Sequence, residues 1–204
     1  MASNVAYATL AQVKTRMALS TTGQDDIINA LLPAVSRAID TYCRRRFYLV
    51  TETRRFDFKS STRLWFDEDL YSLTTLTLGD SSTLTESTHF YLYPLDGPPY
   101  RWLDIRSDVG SLLEYGNSPQ RALSVLGSWG YSATPPPEVV QACVSWTAAV
   151  VQASSSGSTG VASMSIGEYS VSYQDPATLL AGPPPDAKFL LGGLVYRPVV
   201  SVGF

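Results

Sequence analysis

The sequence predicts an α+β fold, with a small α-helical bundle, an inserted antiparallel β subdomain and an extended C-terminal arm. Two long segments have apolar residues at helical spacing, and the region between them consists of short alternating runs broken by turn residues. A Ser- and Gly-rich stretch then precedes the last part of the chain. We therefore expect N-terminal core helices in residues 1–47, the β subdomain in 48–133, a returning core helix in 134–153, and a flexible linker with a docking arm in 154–204.

The N-terminal region predicts two helices. Thr9 is a suitable N-cap for a first helix over residues 10–19. A second helix is predicted over residues 23–42, with acidic residues in its first turn and arginines after its last turn, as the helix dipole favours. Pro33 predicts a kink, or else a late start of this helix. Its buried stripe is predicted to contain Ile27, Ile28, Leu31, Leu32, Val35, Ile39 and Tyr42.

The middle of the chain is predicted to form six short strands of an antiparallel sheet or barrel-like sandwich. They cover residues 50–58, 63–66, 73–78, 89–93, 101–105 and 122–129. The acidic run of Asp67, Glu68 and Asp69 is expected to be a solvated turn between two of these strands. Residues 79–80 predict another turn, and the prolines of residues 94–99 predict an exposed loop.

The region after residue 134 predicts a returning helix and an apolar tail. Residues 137–152 are apolar on nearly all sides, so this helix is expected to be buried against the stripe of the second helix. Beyond the linker, residues 166–173 alternate as a strand, and residues 186–191 can form one or two helical turns. So much apolar surface is expected either to fold back on its own core or to dock on a neighbour.

The composition of the chain limits the classes of function that the protein can have. The formal net charge of −3 argues against a general nucleic-acid binder. Cys43 and Cys143 lack metal-ligand spacing and are expected to be buried free thiols, with a bridge between them as the alternative. The start of the chain lacks a secretory pattern and no apolar stretch reaches the ~20 residues that span a bilayer. We therefore expect a soluble protein made in a reducing cytoplasm.

Catalytic signatures are sparse. His89 is the single histidine, it lies in a predicted strand, and no serine near it has a nucleophile signature. The acidic run lacks the spacing of a calcium loop, and no glycine-rich phosphate loop is present. No catalytic residue, cofactor or metal is therefore predicted, and the chain is not expected to be an enzyme.

One basic cluster is present, formed by Arg44, Arg45 and Arg46 with Arg54 and Arg55 on the following strand. These residues could bind DNA phosphates or acidic residues of a neighbouring subunit, and we favour the subunit contact. The alternative is that they neutralise the C-terminus of the second helix and line a solvated strand.

Four stretches resemble the head–tail connector (head-completion adaptor) proteins of long-tailed bacteriophages. They are YATLAQVKTRM at residues 7–17, the segment from Ile27 to Phe47, GSWGY at 127–131 followed by a proline and then Val139, Val140 and Ala142, and IGEYSVSY at 166–173. Within the second stretch, the matching residues are the run from Ala34 to Asp40, Tyr42 and Cys43 followed by an arginine, and Phe47. Their order and spacing carry the resemblance, whereas the β region matches only in texture.

The resemblance implies a structural virion protein of the phage neck, made in the bacterial host cytoplasm. Family members form rings, commonly of twelve subunits, beneath the portal protein. Such a ring extends the DNA channel, binds the tail-side neck, stopper or tail-terminator protein, and lets viral DNA pass without sequence-specific binding or contact with a membrane. On this interpretation the subunit or portal interface contains Arg44, Arg45, Arg46, Tyr169, Tyr173, Phe189, Tyr196 and Phe204.

Two alternatives stay open. A tail-completion or tail-terminator protein is usually a smaller β-rich ring, and the long N-terminal helices count against it. A β-sandwich carbohydrate-binding module could use Trp65, Trp102 and Trp129 as a sugar platform, although Trp129 is flanked by glycines at a strand end and fits a core position better.

Overall fold

The chain has a mixed α+β fold, as predicted. The computed structural model describes residues 5–57, 62–78, 82–106, 120–155, 163–166, 169–172 and 182–196. This part of the chain contains four helices, a six-stranded antiparallel sheet and a separate two-stranded sheet. The chain divides into two compact units, a helical unit of residues 1–44 with 135–204 and a β unit of residues 45–134.

The helical unit begins with helix α1, Leu10–Arg16. Thr9 caps it as predicted, because its hydroxyl accepts from the Gln12 backbone N–H and its own backbone N–H donates to the Gln12 side chain. This reciprocal pair is a capping box. The helix ends three residues before the predicted boundary, and Ala18 then takes a left-handed conformation with φ of 54°.

Helix α2, Asp25–Cys43, continues through Pro33 without interruption, so the alternative of a late start is wrong. It ends at Arg44, which adopts the left-handed conformation common at helix C-termini. Ile27 of the predicted stripe is half exposed, whereas Ser36 and Cys43 are buried. The buried face of α2 consists of Ile28, Leu32, Val35, Ser36, Ile39 and Cys43.

Helix α3, Pro137–Ser155, lies at the centre of the helical unit and packs against α1, α2 and the last helix, α4, Pro185–Leu191. Its contact with α2 confirms the predicted partner. Ala187 and Leu191 of α4 are fully buried, and the backbone N–H of Tyr196 donates to the Cys43 carbonyl at 2.8 Å. This part of the C-terminal region therefore folds back on its own unit.

The β unit contains six strands, β1 Val50–Phe56, β2 Arg63–Leu78, β3 Thr83–Leu84, β4 Phe90–Tyr93, β5 Tyr100–Ile105 and β6 Leu123–Trp129. The sheet order is β1-β6-β2-β5-β4, and β3 pairs with β2. The first half of β2 pairs with β5 and the second half pairs with β6. Phe66 in the first half contacts both Phe56 of β1 and Trp129 of β6, so the sheet curls over a single apolar core.

The structure corrects the predicted turn at the acidic run. Asp67, Glu68 and Asp69 lie inside β2, so the two strands predicted at 63–66 and 73–78 are one 16-residue strand. The strand continues because Leu64, Phe66 and Leu70 fill the core, and because the carboxylates face arginines of the same unit.

Two other strand predictions also change. His89 belongs to the turn before β4 and not to the strand. The single strand predicted at 166–173 is instead a hairpin of β7, Ser163–Ile166, with β8, Tyr169–Ser172. The turn predicted at residues 79–80 and most of the predicted linker, residues 156–162, lie outside the described residues.

Candidate functional site: a charged cluster, an aromatic ridge and a helical groove

Most of the predicted basic cluster is engaged in contacts within the β unit. Arg46 donates two hydrogen bonds to the carboxylate of Glu68. Arg54 donates to Glu68 and Asp67 on β2, and to Glu52 on its own strand. Burial alone would raise the pKa of Glu68, but these hydrogen bonds outweigh burial and the pKa is lowered. Arg46, just before β1, and Arg54, within β1, therefore both fix this part of the chain against β2.

Arg45 lies deeper, next to Asp69. The Arg45 Nε atom is 3.5 Å from Asp69 Oδ2, and both side chains are almost fully buried. The Arg45 guanidinium also lies 5.0 Å from the centre of the Tyr131 ring. Arg101 Nε is 3.9 Å from the other Asp69 oxygen. Neither oxygen accepts a hydrogen bond from a residue that the structure describes.

Burial raises the pKa of Asp69 to about 6, against the attraction of Arg45 and with a further contribution from Glu68. The charge of this carboxylate is therefore incompletely compensated. Asp69 still has a structural role, because its backbone carbonyl accepts from the N–H of Gly130.

The two remaining arginines of the basic cluster lie at the surface. Arg44 and Arg55 are exposed, at the end of α2 and on β1. The sequence interpretation did not connect the arginines to the acidic run. The available signal was charge complementarity, since three consecutive acidic residues follow a group of five arginines in the sequence. Long-range pairing of strands is what brings the two groups together.

The residues predicted for an interface in the C-terminal region are placed only in part. Phe189 projects from α4 and is 87% exposed, the largest exposure among the large apolar side chains that the structure describes. Tyr196 is half-buried and tied to Cys43 through its backbone. Tyr169 lies in β8, and Tyr173 and Phe204 lie outside the described residues.

Aromatic side chains cover the outer face of the sheet formed by β4, β5 and the start of β2. Trp102 pairs across the strands with Trp65 on one side and Tyr93 on the other. The ring centroids are 4.8 Å and 5.5 Å from that of Trp102, and the Tyr93 and Trp102 planes are parallel within 3°. We call Arg63, Trp65, Tyr91, Tyr93, Trp102 and Asp104 the aromatic ridge.

Arg63 fixes one end of the aromatic ridge. Its guanidinium lies 5.6 Å and 5.3 Å from the centroids of Trp65 and Trp102. It also donates two hydrogen bonds to Asp104, at 2.6 Å and 2.8 Å. Because the pair is bidentate and stacked on two rings, the ridge is held in one arrangement.

Trp129 does not belong to this surface. It is fully buried, its indole N–H donates to the Glu52 carbonyl, and its ring contacts Phe56 and Phe66. The three tryptophans therefore do not form a common platform, and Trp129 is a core residue as its glycine neighbours indicated.

A groove runs along the surface of the helical unit between α1, α3 and α4. It is an open groove of about 540 Å³, and Arg16, Gln141, Ser145, Pro185, Asp186 and Phe189 contribute to its lining. Arg16 and Asp186 are exposed and lie 4.0 Å apart across it. We call this feature the helical groove.

The described residues present few groups suited to catalysis. The Nδ1 atom of His89 accepts a hydrogen bond from the Thr85 backbone N–H, so the ring stabilises a turn. Cys43 and Cys143 are free and buried, as predicted, and burial raises the pKa of Cys143. Among the residues that were placed, no three His, Cys, Asp or Glu side chains converge as metal ligands, and no helix is long and apolar enough to cross a membrane.

Comparison with known proteins found a family match in the N-terminal third of the chain. Residues 7–72 match the family model described as Phage gp6-like head-tail connector protein. The match confirms the resemblance to head–tail connector proteins over α1, α2, β1 and the first part of β2. No curated protein matches the chain.

Proposed function

We propose that this chain is a structural protein of the phage neck, a ring-forming adaptor that joins the portal to the tail-side neck proteins. The observation that carries the proposal is the family match over residues 7–72, which contains both N-terminal helices. On this proposal the protein resides in the virion at the head–tail junction and has no catalytic role.

The helical unit is proposed to be the connector-like core, a small bundle around which subunits assemble. The ring would contain about twelve copies, the number common in the family that the sequence resembles. The exposed positions of Arg44 and Phe189 suit contacts with a neighbouring subunit or the portal. Arg45 and Arg46 contact carboxylates of their own β unit, so we assign them to internal support of that unit.

The C-terminal arm is proposed to act beyond α4. Helix α4 and the backbone of Tyr196 pack within the helical unit. The segment that follows, with Phe204, is the part that we propose docks on the portal or an adjacent subunit. Tyr169 and Tyr173 are proposed to contribute to the same docking arm.

The ring is proposed to extend the DNA channel without binding the DNA tightly. The net charge of −3 supports this proposal, because unpaired cations would attract phosphates and slow the passage of the genome. The same reasoning favours Arg46 and Arg54 as internal ion pairs, since their charges are already matched by Glu68, Glu52 and Asp67.

The proposal is tested with a phage that lacks this chain. We expect filled heads and complete tails that fail to join, and heads that gain the chain when it is supplied afterwards. If the added chain instead binds free tails and leaves heads bare, the tail-terminator alternative is correct. Normal joined particles without the chain contradict both.

A further inference from the structure

Trp102 is the central ring of the aromatic ridge. Trp102 stands between its cross-strand neighbours Trp65 and Tyr93, so its faces are covered on both sides. The guanidinium of Arg63 lies over Trp65 as well. Three of the rings stack on one another, and Trp65 and Tyr91 are each more than one-third exposed.

This geometry decides between classes of occupant. Single-stranded nucleic acid needs free ring faces for its bases and unpaired cations for its phosphates, but Arg63 is neutralised by two hydrogen bonds to Asp104. A pyranose would also need an open ring face for stacking. A rigid group of Trp, Tyr and Arg side chains with balanced charge is the composition of a protein–protein hot spot.

The helical groove has the complementary properties. It is concave, its volume of about 540 Å³ falls within the range of pockets that hold large side chains, and the exposed Phe189 offers an apolar wall. It carries one exposed cation, Arg16, and one exposed anion, Asp186. The ridge carries one of each in the Arg63–Asp104 pair, so the two ion pairs can lie against each other with opposite charges facing.

We propose that the aromatic ridge of one copy docks in the helical groove of a second copy, with Arg63 facing Asp186 and Asp104 facing Arg16. The ridge belongs to the β unit and the groove to the helical unit, so the two sides of the contact are different surfaces. A contact of this heterologous kind leaves a free ridge at one end and a free groove at the other, and it generates a ring when the rotation closes. The inference rests on the proposed ring-forming function and names the surfaces that build the ring.

The test uses the full-length chain with one variant on each side of the contact. Trp65→Ser damages the ridge, and Tyr91→Ser is a second ridge variant that leaves the stacked rings in place. Phe189→Asp damages the groove at a side chain that supports no core. Ile27→Asp is the matched control, because it also places a charge at an exposed apolar position of the helical unit but outside the groove.

Sedimentation and light scattering are measured up to the highest soluble concentration. The wild type and Ile27→Asp are expected to associate alike, and each site variant to associate at least tenfold more weakly. A mixture of Trp65→Ser and Phe189→Asp is expected to form a one-to-one dimer of wild-type affinity. In that pair the first protein supplies an intact groove and the second an intact ridge.

Three results would overturn this inference. They are a wild type that stays monomeric, site variants that associate as well as Ile27→Asp, and a mixture that gains nothing over its components. Binding of a neutral glycan by a monomer, lost in Trp65→Ser, would also overturn it and assign the ridge to sugars. A ring that persists in both variants would remove this contact but leave the adaptor function standing, because joining of heads and tails tests that function separately.

Discussion

Asp69→Asn is predicted to stabilise the β unit at neutral pH. Asp69 is 2% exposed, and its oxygens accept no hydrogen bond from any residue described in the structure, although two arginines lie nearby. Burial raises its pKa from the usual 3.8 to about 6 despite the attraction of Arg45. The folded site therefore favours the neutral carboxyl, and Asn is neutral at every pH.

The expected size follows from the pKa difference between the folded and the unfolded chain. A shift of about two units corresponds to about 3 kcal/mol. Because the folded pKa is raised, the stability associated with the proton is fully present below about pH 4. It is lost as the pH rises to about 6, and is constant above that. Asp69→Asn should therefore match the wild type at pH 4 and exceed its free energy of unfolding by about 1–3 kcal/mol at pH 8.

Urea denaturation between pH 4 and pH 8 measures this difference, with tryptophan fluorescence as the signal, since Trp65, Trp102 and Trp129 lie in the same unit as Asp69. Asp67→Asn is the control, because Asp67 is exposed in its ion pair with Arg54 and its loss should cost less than about 1 kcal/mol. If Asp69→Asn is less stable than the wild type at pH 8, the buried pair with Arg45 is net stabilising and the reasoning from burial is refuted.

The other predictions concern the β unit and the end of the helical unit. Glu68→Gln should destabilise the chain by about 1–3 kcal/mol at pH 7, because Arg46 loses the carboxylate that accepts its two hydrogen bonds and Arg54 keeps only Asp67 and Glu52 as charged acceptors. Since the pKa of Glu68 is lowered, the deficit should shrink as the pH falls below the ordinary glutamate pKa of 4.5, and an unchanged deficit there would contradict the ion-pair account. Gly130→Ala should lower the free energy of unfolding by at least about 2 kcal/mol, because φ is 144° and a Cβ would collide with the Tyr48 carbonyl. Gly23→Ala is the control, because a Cβ there would enter open space and should change the melting temperature little. Equal melting temperatures of the two variants would be inconsistent with the clash. Removing residues 164–204 should lower the melting temperature, because the buried Leu191 of α4 is lost. A truncated chain that melts at the temperature of the full chain would show that α4 contributes nothing to the fold.

The helices could be predicted from the sequence because their signals are local. Thr9 with Gln12 specifies the start of α1, and the apolar periodicity of α2 and α3 continues over many turns. Such signals act within about four residues of each other. For the same reason the exact end of α1 was missed, since the left-handed turn at Ala18 has no strong marker such as glycine.

The candidate site could not be predicted in the same way because its partners are distant in the sequence. The acidic run suggested a solvated turn, and only the position of β2 beside Arg45, Arg46 and Arg54 makes a continuous strand favourable there. The ridge depends on strand register, since a shift of one residue would place Trp65 and Trp102 on opposite faces. Register follows from the whole sheet and not from any one strand.

The most direct test of the adaptor proposal is the mass of the purified protein, measured by light scattering alone and with its portal, followed by electron microscopy of any large species. The proposal predicts a closed ring, formed by the chain alone or as a cap on the portal. A chain that stays monomeric and does not bind the portal would contradict the adaptor function and favour the tail-terminator or sugar-binding alternatives.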